Sequence, residues 1–198
     1  QKVTFDWARF TQGADFNWTE FAQGADFLRA VFGEDKSQEK HDSVAVVNFR
    51  FAEFHKPELI RFIQVNREGQ HGLRALFAGC NVEKVQFEDV NWNRERGRVV
   101  LQDEIVVRAK PKGAINYARV AVAYCQLINN FEKTRDYDLA EDCSIGAMEM
   151  KRRDPAKFLF AGRLSPYYEK WSWLRWVGEH VSVTNLYRLA SKYGSSYV

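Results

Sequence analysis

The sequence has few of the residues that cross-link a secreted protein or assemble a metal site. Its three cysteines, Cys80, Cys125 and Cys143, are an odd number, form no C-x-x-C pair and have no histidine at ligand spacing. Neither a disulfide framework nor a zinc site is therefore indicated. This cysteine usage is typical of a reducing, cytoplasmic compartment.

Long apolar runs are missing as well. No run reaches the roughly 18 to 20 residues that a membrane-spanning helix needs, and the sequence starts at Gln1 without a signal-peptide pattern. We therefore expect a piece of a longer chain, located in the cytoplasm or at the inner face of the membrane. Membrane proximity would come through flanking segments that this sequence does not contain.

Catalytic motifs are also missing. No G-x-S-x-G, H-E-x-x-H or phosphate-loop spacing occurs. Asp142 and Glu149 lie on a charged helical stretch, where solvated side chains are expected. The histidines are far apart in the sequence: His41, His55, His71 and His180. The sequence thus predicts no enzyme, no catalytic residue, no cofactor and no metal.

Charge is distributed unevenly along the chain. The formal net charge is +3, but residues 151–198 hold nine basic and three acidic side chains, a net of +6, so residues 1–150 carry −3. A basic end on a mildly acidic body is typical of contact with nucleic acid, anionic lipid or an acidic partner, and equally of a solvated helix face.

What the sequence does have is a repeat. The phrase F-x-W-x-x-F-x-Q-G-A-D starts at Phe5, returns at Phe16 and begins a third time at Phe27. Its large apolar residues are five or six apart, later ones are five apart, and a smaller residue lies two positions before each. The centres of this pattern are Phe5, Phe10, Phe16, Phe21, Phe27, Phe32, Phe49, Phe54, Leu59, Phe77, Val82, Phe87 and Trp92.

A period of five matches neither the 3.6-residue period of a helix nor the two-residue period of a strand. Each unit must therefore turn a corner, so that four short faces make one turn of a coil and each face points one large side chain inward. Stacked coils would bury these side chains as a ladder, in which one buried Phe contributes about 1.5–3 kcal/mol.

The triplets at residues 14–16 (ADF), 25–27 (ADF) and 80–82 (CNV) resemble the A-(D/N)-(L/F) core of the pentapeptide-repeat family. The resemblance extends over residues 3–92, with breaks, and implies a right-handed quadrilateral β-helix. We therefore expect a mixed β and α chain, in which an N-terminal β-helix of degenerate repeats precedes a helical region.

The breaks in the period are informative too. The extra residue of each longer step lies beside Gly13 or Gly24, where a bulged corner is expected to need a positive φ. Residues 33–43, GEDKSQEKHDS, contain no large apolar centre and predict an exposed insertion. A second insertion is expected near 61–72.

The pattern changes at the end of the repeats. The stretch RGRVVLQDEIVVRA is rich in β-branched residues and predicts a strand pair, or a strand with an edge element, that caps the coil. Farther on, apolar spacing predicts two antiparallel helices between Ile115 and Arg153. The predicted domains are the β-helix over 1–110, a helical hairpin over 111–162 and a basic-aromatic helical segment over 163–198.

The predicted hairpin resembles one tetratricopeptide unit, with large residues on its first helix and small ones on its second. The match departs from that pattern at Ile128, Ser144 and Arg152. The residues that carry it are Tyr124, Leu127, Phe131, Tyr137, Ala140 and Ala147. The longer phrase Y-x-Q-L-x-x-N-F-E…D-Y-D-L-A-E-D…G-A-M-E-M-K-R-R resembles bacterial pentapeptide-repeat proteins in which such a hairpin precedes transmembrane helices.

Exposed aromatic residues are expected in two places. Trp7 and Trp18 follow ladder positions by two and are expected at a corner, as a partly exposed aromatic stripe. The C-terminal segment combines aromatic and basic side chains, which indicates a juxtamembrane surface, ordinary packing or contact with nucleic acid. Its candidate interaction residues are Trp171, Trp173, Arg175 and Trp176.

Three functions are compatible with these features. The favoured one is a non-enzymatic interaction or scaffold module that binds a protein partner or itself. The second is a regulatory domain of a membrane channel or transporter, with a ligand and a gate. The third is a DNA mimic that binds topoisomerases, which the weak negative charge of residues 1–150 disfavours; nucleic acid is not expected as a partner.

Overall fold

The computed structural model describes residues 2–33, 45–67, 71–110 and 116–154. The chain divides into two compact units, residues 1–148 and 149–198. The first unit begins with many short parallel strands around a cluster of aromatic rings and ends in a helical hairpin. Of the second unit, residues 149–154 are described.

The strands are short, and most have two residues. Their bounds are β1 Val3–Thr4, β2 Arg9–Phe10, β3 Ala14–Asp15, β4 Glu20–Phe21, β5 Ala25–Leu28, β6 Val31–Phe32, β7 Val47–Asn48, β8 Glu53–Phe54, β9 Ile60–Ile63, β10 Ala75–Leu76, β11 Gln86–Glu88, β12 Arg94–Glu95 and β13 Arg98–Val99. The helices are a 3-10 turn at Pro57–Leu59, α1 Gln102–Ala109, α2 Tyr117–Thr134 and α3 Tyr137–Arg153.

Eleven of the strands form four parallel sheets. These are β1-β5-β9-β11, β2-β6, β3-β7-β10 and β4-β8, and the chain visits them in this order twice between β1 and β8. One turn of the chain therefore leads from Val3 to its partner Ala25, and from Arg9 to its partner Val31. The phrase that the sequence repeats from Phe5 to Phe16 covers only half of such a turn.

The inward side chains form columns of phenylalanine rings. Along the first sheet, successive rings of Phe5, Phe27, Phe62 and Phe87 stack with centroids 4.9, 4.7 and 5.3 Å apart. Columns on different sheets meet edge to face, as Phe49 and Phe62 do at 86°. Offset stacks and edge-to-face pairs are the arrangements that aromatic rings favour.

Burial of the predicted ladder centres varies along the stack. Eight of them are buried: Phe21, Phe27, Phe32, Phe49, Phe54, Phe77, Val82 and Trp92. Four are half-buried: Phe5, Phe10, Phe16 and Phe87. Leu59 is exposed, with 44% of its surface accessible.

The prediction for Leu59 is therefore wrong, and the strand β9 occupies the first residues of the insertion predicted near 61–72. Residues Pro57–Leu59 form the 3-10 turn instead of continuing the five-residue period. The side chain of Leu59 therefore stays at the surface. The next inward ring is that of Phe62, which is 0% exposed. Phe62 lies in β9, which pairs with both β5 and β11. The predicted insertion over 33–43 falls almost wholly outside the described residues.

Glycines at the corners have two different roles. Gly13 has a φ of +83°, as the sequence predicts, but Gly24 is not among the residues with positive φ. At Gly24 the limit is space, because a Cβ atom there would lie 2.7 Å from the carbonyl oxygen of Leu59. The strands pack too closely at this point for any side chain.

A buried asparagine takes the place of a strand in the second sheet. The side chain of Asn66, 2% exposed, accepts a hydrogen bond from the Phe32 N–H at 2.7 Å and donates one to the Phe32 carbonyl at 3.1 Å. It also donates to the Gly72 carbonyl at 3.1 Å. The amide thus satisfies backbone groups that a further strand would otherwise pair.

The predicted strand pair over RGRVVLQDEIVVRA is only half correct. Only β13 lies within this stretch; it pairs antiparallel with β12, which precedes the stretch, and the residues from Gln102 on form the helix α1. The strand propensity of its valines is overridden because the helix brings two buried carboxylates, Asp103 and Glu104, both 0% exposed, within reach of hydrogen-bond donors that offset their burial. Asp103 accepts hydrogen bonds from the Phe77 N–H at 2.6 Å and from Arg50 Nε at 3.1 Å.

The helical hairpin covers the last turn of the strands. Asn130 on α2 donates to the carbonyls of Val82 and Val85 at 2.9 and 2.7 Å. Gly146 on α3 lies against the ring of Tyr124, where a Cβ atom would be 2.5 Å from the ring. Backbone groups at this end of the strand stack are thus satisfied by α2.

In the second unit, the described residues show one local charge cluster. Arg152 Nη2 and Arg153 Nε each donate to Glu149 Oε1 at 2.7 Å. Burial would raise the pKa of Glu149, but its hydrogen bonds to the two arginines outweigh this and lower the pKa to about 2. The Glu149 carboxylate is therefore ionised at neutral pH.

Asp26 is expected to make folding pH-dependent. Its carboxylate accepts hydrogen bonds from Arg61 at 2.7 and 2.5 Å and pairs with Lys2, and the hydrogen bond from Arg61 is the main reason that its pKa lies below 3.8. This stabilisation is present above about pH 4 and is lost as the pH falls through the lower folded-state pKa. Because Arg61 is partly exposed, we expect about 1 kcal/mol.

Urea unfolding of the wild type and of Asp26→Asn between pH 6 and pH 2.5 measures this contribution. The variant should be less stable at pH 6, and the difference should shrink towards pH 2.5. Asp138→Asn, at an exposed position on α3, is the control. A difference that stays constant over the whole pH range would contradict the assignment.

Candidate functional site

Trp7 and Trp18 lie at corners between strands and are largely exposed. They follow β1 and β3, have a φ of +59° each, and are 60% and 68% accessible. The sequence predicts one aromatic stripe, but the two side chains belong to different corners, because the step from Trp7 to Trp18 is half of a turn. The structure therefore has two separate corner columns.

The first corner column contains Trp7, Arg29 and Gln64, whose φ values are +59°, +54° and +52°. The Arg29 guanidinium lies over the Trp7 ring, 4.6 Å from its centroid, which is a cation–π contact. Arg29 Nε also donates to Gln64 Oε1 at 2.8 Å. One face of the Trp7 ring is thus covered from the next turn.

The second corner column contains Trp18, Phe51 and Gly79. The rings of Trp18 and Phe51 stack at 4.5 Å with an angle of 10°, and the guanidinium of Arg119 lies 4.8 Å from the Phe51 centroid. Gly79 has a φ of +93°, and a Cβ atom there would be 2.6 Å from the Phe51 ring. Trp18 therefore rests on a rigid stack.

The first turn of the described chain lies at one end of the strand stack. Within the described residues, β1, β2, β3 and β4 each have one neighbouring strand. The rings of Phe5, Phe10 and Phe16 are half-buried, whereas the rings that stack on them from the next turn are 0% exposed: Phe27, Phe32 and Phe49.

A cleft of about 410 Å³ lies at the opposite end, between the last strands and the turn from α2 to α3. Its aromatic lining comes from Phe87, Trp92 and Phe131, whose rings contact one another. Asp89 and Asp136 are at its rim, but Asp89 is paired with Arg67 at 3.1 Å and Asp136 caps α3. These carboxylates already have partners within the fold.

The hairpin has exposed apolar side chains of its own. Val122 on α2 is 56% accessible, and Ile145 and Met148 on α3 are 42% and 46% accessible. Tyr137, the first residue of α3, is 65% accessible as well.

The buried polar groups form a structural cluster. Glu104 accepts hydrogen bonds from the Tyr124 hydroxyl at 2.6 Å and from Arg98 at 2.5 Å. Burial raises the pKa of Asp103, and burial also raises the pKa of Tyr124. All of these side chains are held by partners within the fold.

Two of the cysteines have unreactive surroundings. Cys80 and Cys143 are buried, and burial raises the pKa of each thiol to about 12. Both are therefore protonated at neutral pH and lack the thiolate that a nucleophile requires. Cys125 is half-buried on α2.

The interaction residues predicted in the C-terminal segment, Trp171, Trp173, Arg175 and Trp176, lie outside the described residues. No group of three or more His, Cys, Asp or Glu side chains that could hold a metal occurs in the described part of the chain. Nor is any helix within the described ranges long and apolar enough to span a membrane.

Sequence reasoning missed the residues that support the two tryptophans. Arg29 could have been found, because it follows Trp7 by one full turn, just as Ala25 follows Val3. Phe51 also lies one turn after Trp18, but the insertion after Gly33 lengthens that turn and hides the relation. Arg119 comes from a helix whose position against the corner has no signal in the repeat.

Comparison with protein-family models, with curated proteins and with solved structures found no match to this chain.

Proposed function

We propose that the chain is a non-enzymatic protein-interaction module: a pentapeptide-repeat β-helix of quadrilateral section, capped by a hairpin that resembles one tetratricopeptide unit. The four parallel sheets, visited in a constant order, and the equal offset of the β1–β5 and β2–β6 pairs support the β-helix. The contact of Tyr124 with Gly146 supports the hairpin type, since it sets a large residue of the first helix against a small one of the second.

The observation that carries the proposal is the exposure of Trp7 and Trp18. The first of the two corners does not require an aromatic residue, because Arg29 and Gln64 occupy it one and two turns after Trp7 with a similar positive φ. A left-handed φ costs a non-glycine residue free energy, and 60% and 68% of the Trp7 and Trp18 surfaces stay accessible, so burial offsets only part of that cost. Rigid, exposed tryptophans are typical of binding hot spots.

The two alternative functions have less support. A DNA mimic needs a strongly negative surface, whereas residues 1–150 carry only −3. A regulatory domain of a membrane channel needs a ligand and a moving element, and two of the carboxylates at the cleft, Asp89 and Asp136, are already held by Arg67 and by the backbone at the start of α3. The interaction module requires neither of these features.

Affinity capture with the purified chain tests the proposal. The double variant Trp7→Gln/Trp18→Gln should reduce the enrichment of specific partner proteins about tenfold or more, because tryptophan truncation at a hot spot has effects of this size. Leu59→Gln removes another exposed apolar side chain and should leave the enrichment unchanged. Equal enrichment with wild type and double variant would contradict the proposal.

A further inference from the structure

We propose that the cleft between the last strands and the turn from α2 to α3 binds an organic cation, a ligand that carries an alkylammonium group. The proposal goes beyond the proposed function, because the cleft lies at the other end of the strand stack from Trp7 and Trp18. Three features of the cleft support it: an aromatic lining, an excess of carboxylates and a volume that suits a small ligand.

The aromatic lining consists of three rings that pack around one another. The Phe87 ring lies 5.2 Å from that of Trp92 and 6.4 Å from that of Phe131, and the Trp92 and Phe131 rings meet edge to face at 88°. Phe87 is half-buried, whereas Phe62, the next ring in its column, is 0% exposed. The face of an aromatic ring attracts a cation that lies within about 6 Å of its centroid. The cleft therefore offers part of an aromatic surface to a cation.

The polar lining of the cleft has more negative than positive groups. It includes three carboxylates and one guanidinium, which belong to Asp89, Asp136, Asp138 and Arg94. Arg94 Nη1 donates to the Gly97 carbonyl at 3.0 Å and to Asp142 Oδ2 at 3.4 Å. The positive charge of Arg94 is thus offset by a carboxylate outside the lining. The charges of the cleft favour a positively charged ligand over a negatively charged one.

The three carboxylates can bind a ligand in addition to their present partners. Arg67 Nη1 contacts Asp89 Oδ2 at 3.1 Å, and the Leu139 N–H donates to Asp136 Oδ1 at 3.2 Å. An ionised carboxylate has about four acceptor positions on its two oxygens, so neither contact exhausts it. The carboxylate of Asp138 is exposed and, within the described ranges, makes no hydrogen bond or ion pair. All three groups can therefore accept hydrogen bonds from an ammonium group.

The volume of the cleft, about 410 Å³, suits a small ligand or a single side chain. It lies at the lower end of the range of about 300–1,000 Å³ that ligand pockets have. An alkylammonium group matches the lining, because its charged end donates hydrogen bonds to carboxylates while its methylene chain covers the aromatic rings. A lysine side chain of a partner protein and a free alkyldiamine both supply this chemistry.

Titration of the full, isotope-labelled chain with small cations tests the proposal, with the chemical shift of the Trp92 indole N–H as the readout. The two probes are lysine capped at both ends and diaminopentane. Capped glutamine, which is polar but uncharged, is the negative probe. The wild type should bind a cationic probe with a dissociation constant of about 1–10 mM, and at least about tenfold more tightly than capped glutamine.

The variant Asp136→Asn/Asp138→Asn removes two carboxylates from the cleft and should weaken binding of the cation about tenfold. Asparagine is a good N-cap residue, so the start of α3 is retained. The matched control Glu20→Gln/Glu53→Gln makes the same charge change at side chains that are 70% and 69% accessible on β4 and β8, and it should leave binding unchanged. Asp138→Asn alone, with an expected loss of about threefold, keeps the test decisive if circular dichroism shows that the double variant does not fold.

The outcomes decide both the proposal and the source of the ligand. A chain that binds neither cation overturns the proposal, and so does an equal loss of affinity in the cleft variant and in its matched control. Tighter binding of capped lysine identifies a partner protein as the source, tighter binding of diaminopentane identifies a free amine, and equal binding shows that the ammonium group alone is recognised. None of these variants changes Trp7 or Trp18, so the affinity capture tests the proposed function separately.

Discussion

Replacing Phe62 by alanine is expected to lower the free energy of unfolding by about 3–5 kcal/mol, whereas Leu59→Ala should cost less than about 1 kcal/mol. Phe62 is 0% exposed and stacks between Phe27 and Phe87, so its removal leaves a cavity in the middle of a column. Leu59 is 44% exposed in the 3-10 turn, where its loss removes little buried area.

Urea denaturation followed by circular dichroism measures both effects. The pair is informative because the period of five predicts Leu59 as the inward residue, so the opposite order of effects would mean that β9 is out of register. Equal effects of the two substitutions would contradict the column through Phe27, Phe62 and Phe87. The slope of the unfolding curve should stay similar if both variants keep the fold.

Glu104→Gln is expected to destabilise the fold by about 3–5 kcal/mol. Glu104 is 0% exposed and accepts hydrogen bonds from Tyr124 at 2.6 Å and from Arg98 at 2.5 and 3.2 Å. A neutral amide cannot balance the charge of Arg98, whose side chain is only 18% accessible. Removal of one partner from a buried ion pair costs this much because the other charge stays desolvated.

Glu95→Gln is the matched control for this substitution. Glu95 accepts a hydrogen bond from Arg108 at 2.8 Å, but its side chain is 40% accessible, so the change should cost less than about 1 kcal/mol. Thermal and urea unfolding of both variants give the comparison. A small effect of Glu104→Gln would mean that the buried cluster does not hold α1 in place.

The repeat specifies the parts of the fold that could be predicted from sequence. Phe27, Phe49 and Phe77 recur at the expected centres because each turn must fill the same interior space. The five-residue spacing failed to predict the burial of Leu59, because the 3-10 turn adds residues to the chain without placing another large side chain in the core. It also failed at α1, where the hydrogen bonds of the buried Asp103 and Glu104 outweigh the strand propensity of the neighbouring valines.

The candidate site was predictable to a smaller extent. The corner positions of Trp7 and Trp18 follow from the sequence spacing, because each lies two residues after an inward phenylalanine, Phe5 or Phe16. Their separation on two corners requires knowledge of how much chain one turn takes, which the pairing of Val3 with Ala25 provides. The contact of Arg119 with Phe51 depends on how α2 packs, and a repeat in one half of the chain contains no information about a helix in the other.

The hydrogen bonds of Asp103 also have a consequence for the order of folding. One carboxylate joins positions 50, 77 and 103, which are far apart in the chain, so it reaches its partners only after two successive turns have formed. Contacts between such distant parts of a chain form slowly, because closing the loops between them costs entropy. The helix α1 is therefore expected to join the fold late, and it then adds to the direct hydrogen bonds by which α2 already holds the end of the strand stack.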